Sequence, residues 1–496
     1  MDLFIGALQS VFSLSSFVLL LGGVALGIIF GAIPGLTATM AVALLVPFTY
    51  NMNPASGIVA LLGVYVGGIY GGSISACLVN IPGTPSSMLT TLDGYPMGQR
   101  GEAGKAIGYA TVSSFVGGTL SGIILILFAG QLAKIAYKFG PAEYFAIAFF
   151  GLSLICAISG ENLIKGLIAA VIGLMVECVG LDPVTSVARY TFGYTPLLGG
   201  FEFVPVMIGL FGMREFFLQI STGKFRFQVE QRVGKILPSL KDLLQRKWIM
   251  IRSGIIGTLV GILPGAGGPI AAFMSYEATR RISKHPETFG TGEPDGLCSS
   301  EAANNGVTGG AIIPMLTLGI PGDAVTAIML GAFMVHNITP GPNLFNSSPD
   351  LIYTLYVGFM VANVLMLLYG LLGAKVFAKI LNVSMGVLLP CVAMLTMIGG
   401  FAIRNSGFDM RMVVLFGLLG YVMAYFKFPI VPMVLGLVLG SLCEANLRSS
   451  LVISGGSWSY FFTQPISCVF VILGLLMLLS PIVMKLIRKK KADVAA

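Results

Sequence analysis

Long apolar stretches separated by short polar segments make up most of the chain. A membrane-spanning helix needs about 20 consecutive apolar residues, whereas the strands of a membrane β-barrel alternate over about ten residues. The runs here are continuous, so they predict an all-α polytopic membrane protein. They fall near residues 12–33, 57–79, 106–133, 143–159, 163–181, 202–220, 249–264, 306–333, 351–380, 387–403, 411–426, 428–443 and 465–488. Several are short or interrupted by Gly and Pro.

The composition supports a membrane protein. Of the 496 residues, 56% are hydrophobic and only 10% are charged, and the mean hydropathy is +0.91. A soluble domain carries about 25% charged residues, so this chain could not cover a surface that faces water. Its 65 glycines fit helices that approach one another closely or break inside a membrane.

The positive net charge of +8 is concentrated in two segments. One is residues 221–247, with seven Lys or Arg against Glu230 and Asp242, and the other is the tail from Lys485 to Lys491. Basic segments beside apolar spans mark the cytoplasmic side of a membrane. The charge therefore predicts topology, with a cytoplasmic C-terminus, rather than binding to nucleic acid.

Three short motifs occur twice in the same order. The sequence GAIPG at 31–35 returns as GILPG at 261–265, an offset of 230 residues. The sequence GG at 71–72, followed by IPG at 81–83, returns at 309–310 and 320–322, and this proline is displaced by 239 residues. The pair VP at 204–205 returns at 431–432. Three matches in one order predict a duplicated unit.

The charge pattern predicts that the two copies face opposite ways. The linker between them and the tail are both basic, and one apolar span near 465–488 follows the last repeated motif. If that extra helix is set aside, the second copy begins on the cytoplasmic side of the membrane and ends on the periplasmic side. Each copy therefore crosses the membrane an odd number of times, so the two copies face opposite ways. Six apolar stretches per copy is an even number, so at least one in each must be a re-entrant hairpin or no separate span. The N-terminus is then periplasmic.

These inferences give a domain plan for a multi-pass protein of the bacterial inner membrane. The plan has a first membrane repeat at 1–220, a basic cytoplasmic linker at 221–247, a second and inverted repeat at 248–450, and an extra C-terminal helix with a basic tail at 451–496. Inverted repeats with interrupted helices are the plan of many secondary transporters.

Pro-Gly steps inside apolar segments mark the expected binding site. Proline in a helix interior costs about 3 kcal/mol, and backbone groups freed at membrane depth are tolerated where they line a polar cavity. Such half-helix ends can hold carboxylates and cations. The predicted substrate-binding residues are Pro34, Gly35, Thr37, Thr39, Asn80, Pro82, Gly83, Thr84, Ser86, Ser87, Pro264, Gly265, Gly267, Gly268, Pro321 and Gly322. The alternative is that they form kinks and caps, with hydroxyls bonded to carbonyl groups.

Asp323 and Thr326, directly after the fourth Pro-Gly step, are the predicted cation-coupling residues. An acid in a membrane region is expensive and usually functional, although Asp323 could instead cap the next helix. Glu301, Asn304 and Asn305 either border the site or, as the commoner explanation, lie on a solvated loop face. No metal is assigned beyond Na⁺.

At these motifs the sequence resembles the large membrane subunit of the tripartite tricarboxylate transporters. The resemblance rests on GAIPGLTATMAVALLVP at 31–47, YGGSISACLVNIPGTPSS at 70–87, GILPGAGG at 261–268 and EAANNGVTGGAIIPMLTLGIPGD at 301–323, and it extends over nearly the whole chain. It implies uptake of a small organic carboxylate delivered by a periplasmic solute-binding protein, with a small membrane subunit completing the complex. It also implies a Na⁺ or proton gradient as the driving force.

Energetics favours coupling to a cation. Moving one charge against the membrane potential costs about 2.3 kcal/mol per 100 mV, so a dianion needs cations to accompany it. No phosphate-binding loop for ATP is present, and the only histidines, His285 and His336, lie in no metal-binding pattern, so an enzyme is not expected. No cofactor is expected apart from the coupling ion, Na⁺ or H⁺. The alternative function is a gradient-independent channel for small organic anions.

Overall fold

The computed structural model describes residues 2–154, 163–182, 185–222, 233–381 and 383–479, and these residues are mostly helical. The first helices are α1 Asp2–Val11, α2 Leu14–Ala32, α3 Ala38–Thr49, α4 Pro54–Val79, α5 Met88–Met97, α6 Ala103–Ala136, α7 Pro141–Ser153 and α8 Leu163–Glu177. Two short antiparallel strands follow, β1 Gly180–Leu181 and β2 Ala188–Arg189.

The remaining helices complete the described chain. They are α9 Phe203–Met207, α10 Arg214–Thr222, α11 Leu240–Gln245, α12 Lys247–Ile262, α13 Gly267–Ile282, α14 Pro294–Leu318, α15 Ala324–Val335, α16 Leu344–Ser347, α17 Pro349–Ile380, α18 Met385–Ala402, α19 Gly407–Tyr425, α20 Ile430–Ile453, α21 Tyr460–Thr463 and α22 Pro465–Leu479. Short 3₁₀ turns lie at Pro85–Ser87, Thr195–Leu197 and Pro286–Thr288, and π turns at Gly98–Glu102 and Ile208–Met213.

Seven helical segments of the described residues are long and apolar enough to cross a membrane. They are Leu14–Ala32, Pro54–Val79, Pro85–Ala136, Phe203–Ser221, Pro349–Ile380, Gly407–Tyr425 and Ile430–Ile453. The prediction of an all-α polytopic membrane protein is therefore confirmed. The apolar stretch predicted near 306–333 is two helices, α14 and α15, because the chain breaks between Leu318 and Ala324.

The described chain forms two compact units. The first comprises residues 1–133 and 203–421, and the second comprises 134–202 and 422–496. Each unit therefore contains segments from both predicted repeats. Part of the basic linker (223–232) and the end of the predicted C-terminal helix with its basic tail (480–496) lie outside the described residues.

In the second unit, α20 packs against α8 through small residues. A methyl group on Gly173 would overlap the carbonyl oxygen of Met433, and one on Gly436 would overlap that of Ala170. Beyond this contact, Arg189 on β2 pairs with Glu444 on α20 at 2.7 Å. Close helix packing and ion pairing thus organise this unit.

In the first unit, α2 and α4 lie side by side and parallel. Gly27 packs on the carbonyl oxygen of Val64, and Gly71 packs on that of Ile28. Residue numbers rise together along the two helices, so both run in the same direction. Helix α4 is buried along its whole apolar length and is the more central helix of this pair.

Helices α12 and α14 repeat this packing residue for residue. Gly257 packs on the carbonyl oxygen of Ala303, and Gly310 packs on that of Thr258. These are the contacts of α2 with α4, displaced by 230 residues in the first helix and by 239 in the second. The duplicated motifs therefore belong to duplicated helix pairs.

A shorter helix runs back along each pair to form a hairpin. Helix α3 leaves the end of α2 and returns to the start of α4, where Thr49 adjoins Gly57. The starts of α2 and α4 are themselves joined by a 2.8 Å bond between the Ser16 and Ser56 hydroxyls. In the second pair, α13 returns to the start of α12, where Arg252 donates to Thr279 at 2.8 Å.

Candidate functional site

Each of the four Pro-Gly steps separates two helices. We call these segments the first break (residues 33–37, between α2 and α3), the second break (80–87, including the 3₁₀ turn that leads into α5), the third break (263–268, from the end of α12 into the first turn of α13) and the fourth break (319–323, between α14 and α15). Proline cannot donate to a helical carbonyl, and glycine permits a left-handed backbone, so these two residues together end the helix.

The first and third breaks have the same backbone conformation. Ile33 and Leu263 are extended, with φ of −81° in both and ψ of 116° and 120°. Gly35 and Gly265 follow with positive φ of 91° and 77°, a conformation that favours glycine. The sequence match at an offset of 230 is therefore also a structural match.

The second and fourth breaks also share one conformation, at an offset of 239. Asn80 and Gly319 end their helices in the left-handed region, with φ of 55° and 70°. Thr84 and Asp323 are both extended and stand immediately before the next helical turn, with φ of −126° and −147°. Thr84 and Asp323 therefore occupy equivalent positions.

The side chains at these two positions make equivalent contacts. The Thr84 hydroxyl lies 2.9 Å from that of Ser87, and the Asp323 carboxylate accepts the Thr326 hydroxyl at 2.8 Å. The Asp323 carboxylate also accepts the backbone N–H of Thr326 at 2.8 Å, and the N–H of Asp323 donates to the Thr326 hydroxyl at 2.9 Å; together these two bonds form a capping box. The second break carries a cluster of hydroxyls where the fourth carries a carboxylate.

Within each copy, the later break packs against the end of the helix that precedes the earlier break. Gly83 packs on the carbonyl oxygen of Gly31, and its equivalent Gly322 packs on that of Gly261. The third and fourth breaks are further joined by a 2.8 Å hydrogen bond from the N–H of Gly265 to the carbonyl oxygen of Gly322. The interrupted backbone of each copy is thus closely packed.

The third break also reaches the second through Gly268. A methyl group on Gly268 would lie 2.6 Å from Cβ of Ser86 and 2.8 Å from Oδ1 of Asn304. Ser86 belongs to the 3₁₀ turn before α5, and Gly268 belongs to the first turn of α13. The N-terminal ends of two helices therefore meet beside one amide side chain.

The central helices α4 and α14 each extend a side chain to the other copy. Tyr65 on α4 donates its hydroxyl to Oδ2 of Asp323 in the fourth break at 2.6 Å. Asn304 on α14, which lies 239 residues after Tyr65, adjoins Ser86 and Gly268. The two copies are interlocked at the breaks by residues at equivalent positions.

Asn304 is the most unusual side chain of this group. It is 1% exposed, yet neither its Nδ2 nor its Oδ1 has a hydrogen-bond partner among the described residues. Buried polar groups are almost always satisfied, and an unsatisfied one costs about 1–3 kcal/mol. Beside two helix N-termini, this amide has an Nδ2 that can donate to an anionic group and an Oδ1 that can accept from a hydroxyl.

The structure gathers some predicted residues more closely than others. Thr84, Ser86, Ser87, Gly265 and Gly268 have the contacts described above. Thr37 caps α3 by accepting the N–H of Met40 at 3.2 Å, and Gly35 lies against the side chain of Gln219. Thr39 is half-buried on the first turn of α3, and Asn80 is exposed.

Sequence reasoning misjudged three residues and missed a fourth. The interpretation of Glu301, Asn304 and Asn305 as a solvated loop face is wrong: all three are buried in α14. That helix is polar enough to be mistaken for a loop. Tyr65 was not identified, because tyrosine in an apolar helix is an ordinary packing residue, and only the fold brings it to Asp323.

Comparison with known proteins identifies the family of this chain. The sequence model of the Tripartite tricarboxylate transporter TctA family matches residues 17–435. The chain belongs to this family, whose members are the large transporter subunits of tripartite tricarboxylate transporters.

Two relatives come from Agrobacterium vitis. A protein described as an uncharacterized 52.8 kDa protein in the TAR-I ttuC' 3'region is 36% identical over 453 residues, which cover 91% of this chain and 90% of that protein. An uncharacterized protein in the TAR-II ttuC' 3'region is 37% identical over 219 residues, 44% of this chain and 90% of that protein. No solved structure matches the chain significantly.

Proposed function

We propose that this subunit translocates small di- or tricarboxylates in symport with a cation, Na⁺ or H⁺, after a periplasmic solute-binding protein delivers them. A small membrane subunit would complete the transporter in the bacterial inner membrane. The observation that carries the proposal is the meeting of the breaks around the unpartnered amide of Asn304.

The chemistry of this meeting point suits a carboxylate. The N–H groups at a helix N-terminus attract anions, and two such ends meet where Ser86 adjoins Gly268. The Thr84 hydroxyl lies 3.1 Å from that of Ser86 and 2.9 Å from that of Ser87, and these hydroxyls can donate without carrying a permanent charge. A site of this kind binds an anion and can release it again.

Opposite orientation of the two copies would provide alternating access. The end of α15 lies at the start of α4, where a methyl group on Gly57 would lie 3.2 Å from Nε2 of His336. Conversely, Asp93 near the end of α5 accepts the N–H of Glu293, just before α14, at 2.8 Å. The path α4–α5 thus runs against the path α14–α15, which supports an inverted repeat. We favour an elevator-like movement of the unit that carries the breaks.

Asp323 and Thr326 are the residues we propose for coupling one cation. The Asp323 carboxylate caps α15 and accepts the Tyr65 hydroxyl, so the capping role is observed, and the cation role is our proposal for the same group. A cation that joined this carboxylate would neutralise charge beside the carboxylate substrate, and the energy of the ion gradient would then be linked to substrate binding.

A gradient-independent channel for organic anions is the alternative. A channel needs a continuous polar path, whereas here the third and fourth breaks are joined by the hydrogen bond between the backbone groups of Gly265 and Gly322. This packing favours a site that opens by movement.

Uptake into proteoliposomes tests the proposal. The chain is reconstituted with its small subunit and binding protein, and labelled citrate, other tricarboxylates and dicarboxylates are offered with a Na⁺ gradient, a pH gradient or neither. We expect accumulation above equilibrium for at least one carboxylate when a gradient is present. Equal flux with and without gradients would establish the channel instead.

A further inference from the structure

A buried acid with no cationic partner lies one turn from the proposed substrate site. Glu301 in α14 is fully buried. Its Oε1 accepts the hydroxyl of Thr90 on α5, and its Oε2 accepts that of Ser114 on α6 at 3.0 Å. Among the described residues these two hydroxyls are its hydrogen-bond partners, and no Lys, Arg or His pairs with it.

The groups that face Glu301 do not compensate its charge. On α4 the titratable neighbours are Tyr70 and Cys77, a phenol and a thiol that are uncharged at neutral pH. On α5 the carboxylate of Asp93 accepts hydrogen bonds from the Tyr276 hydroxyl and from the backbone N–H of Gly292. An uncompensated carboxylate in such surroundings is strongly disfavoured, so a cation or a proton must accompany it.

The side chain of Asn305 favours a cation over a proton as the partner of Glu301. Its Nδ2 donates to the Ser114 hydroxyl at 2.7 Å, which places the amide in the same cluster as Glu301. Its Oδ1 is fully buried and has no partner among the described residues. A proton on Glu301 would neutralise the acid but would leave this oxygen unsatisfied. A small hard cation satisfies both, because carboxylate, hydroxyl and amide oxygens are its preferred ligands.

We propose that the side chains of Glu301, Thr90, Ser114 and Asn305 form a sodium site. They offer five oxygens from three helices, α14, α5 and α6. This inference rests on the proposed function, in which an imported dianion needs more than one cation, and it adds a second cation site to the one proposed at Asp323. The first copy has Leu62 at the position equivalent to Glu301, so the site belongs to the second copy alone.

The position of the site explains how sodium would promote substrate binding. Asn305 belongs to the sodium site, and the preceding residue, Asn304, belongs to the substrate site. Thr90 lies on α5, which continues from the hydroxyl cluster of the second break. Sodium would fix α5 and α14 together, so Ser86 and Asn304 would be held in place before the carboxylate arrives. Binding of each ligand would then strengthen binding of the other.

Thermal unfolding of the purified chain in detergent, without carboxylate, tests the site. NaCl is titrated against KCl at constant ionic strength and pH, and the unfolding temperature is recorded. Because a ligand that binds the folded state stabilises it, sodium should raise this temperature in a saturable way. Glu301→Gln keeps the shape of the side chain and should remove the part of the sodium response that depends on Thr90, leaving at most the response of the cation site proposed at Asp323. Thr90→Val should weaken the apparent sodium affinity about tenfold or more.

The adjacent Thr91, whose hydroxyl donates within its own helix to the carbonyl oxygen of Met88, supplies the matched control. Thr91→Val should respond to sodium like the parent chain. If Glu301→Gln cannot be purified, the sodium dependence of the unfolding temperature is compared between Thr90→Val and Thr91→Val, and this comparison decides the question. A stability that responds to pH but not to sodium overturns the proposal in favour of a proton, and an unchanged sodium response in Thr90→Val also overturns it.

Sodium-dependent stability and carboxylate uptake separate the two proposals. A sodium response in a chain that transports no carboxylate would leave the site standing and refute the proposed function. Uptake with the same sodium dependence in Glu301→Gln as in the parent chain would refute the site and leave the function standing.

Discussion

Thr84 and Asp323 occupy the same position in the two copies of the helix pair. Each follows a Pro-Gly step, each is extended, and each contacts a hydroxyl three residues further on, at Ser87 and Thr326. One copy therefore presents a neutral hydroxyl and the other a carboxylate. This difference fits a division of roles in which the second break binds the substrate and the fourth binds a cation.

Substitution at these two positions should separate the two roles. Thr84→Ala should lower carboxylate uptake at least tenfold at every cation concentration, because it removes the hydroxyl that organises Ser86 and Ser87. Asp323→Asn keeps the oxygen that accepts the N–H of Thr326 but loses the charge, so it should mainly change the dependence of uptake on Na⁺ or pH. Initial uptake rates in proteoliposomes measure both. Normal uptake in both variants would remove these residues from the site.

Removal of one hydroxyl should uncouple the two copies at the fourth break. Tyr65→Phe deletes the donor to the Asp323 carboxylate, and a hydrogen bond to a charged group contributes about 1.5–3 kcal/mol. We expect a lower unfolding temperature together with reduced uptake. Tyr70→Phe on the same helix is the control, since it deletes a bond to the neutral Thr111 hydroxyl that contributes about 1 kcal/mol. An equal effect of both substitutions on uptake would contradict the role given to Tyr65.

Asn304 should be needed for transport and not for stability. Asn304→Ala removes an amide that has no partner among the described residues, so the unfolding temperature should stay the same or rise slightly. Uptake should fall by at least tenfold. Asn446→Ala, which removes an amide bonded to the carbonyl oxygen of Leu442, should leave uptake unchanged. A marked loss of stability in Asn304→Ala would instead show that the amide is structural.

Glycine contacts at equivalent positions should be equally intolerant of a methyl group. Gly27→Ala and Gly257→Ala drive Cβ into the carbonyl oxygens of Val64 and Ala303, and overpacking against fixed backbone costs about 1–3 kcal/mol or more. Both variants should lose most of the folded, monodisperse protein in size-exclusion chromatography. Gly22→Ala lies on the exposed side of α2, has no atom within 4 Å of the new methyl group and should be tolerated. If only one of Gly27→Ala and Gly257→Ala reduced the folded protein, the two helix pairs would not depend equally on this packing for their stability.

The fold class and the four breaks could be predicted because they depend on local properties of the sequence. Long apolar runs require helices in a membrane, and a Pro-Gly step breaks a helix wherever it occurs. The contacts between the copies could not be predicted. Tyr65 and Asn304 are equivalent in space but differ in type, so no motif links them. Glu301 lies in α14, whose polar residues make it look like a loop until the surrounding helices bury it.

A structure of the chain bound to a carboxylate that it transports tests the central claim most directly. The account predicts that the carboxylate lies where the second and third breaks meet, within hydrogen-bonding distance of the Asn304 amide and of at least one hydroxyl among Thr84, Ser86 and Ser87. A transported carboxylate bound elsewhere, with Asn304 still unpartnered, would contradict it.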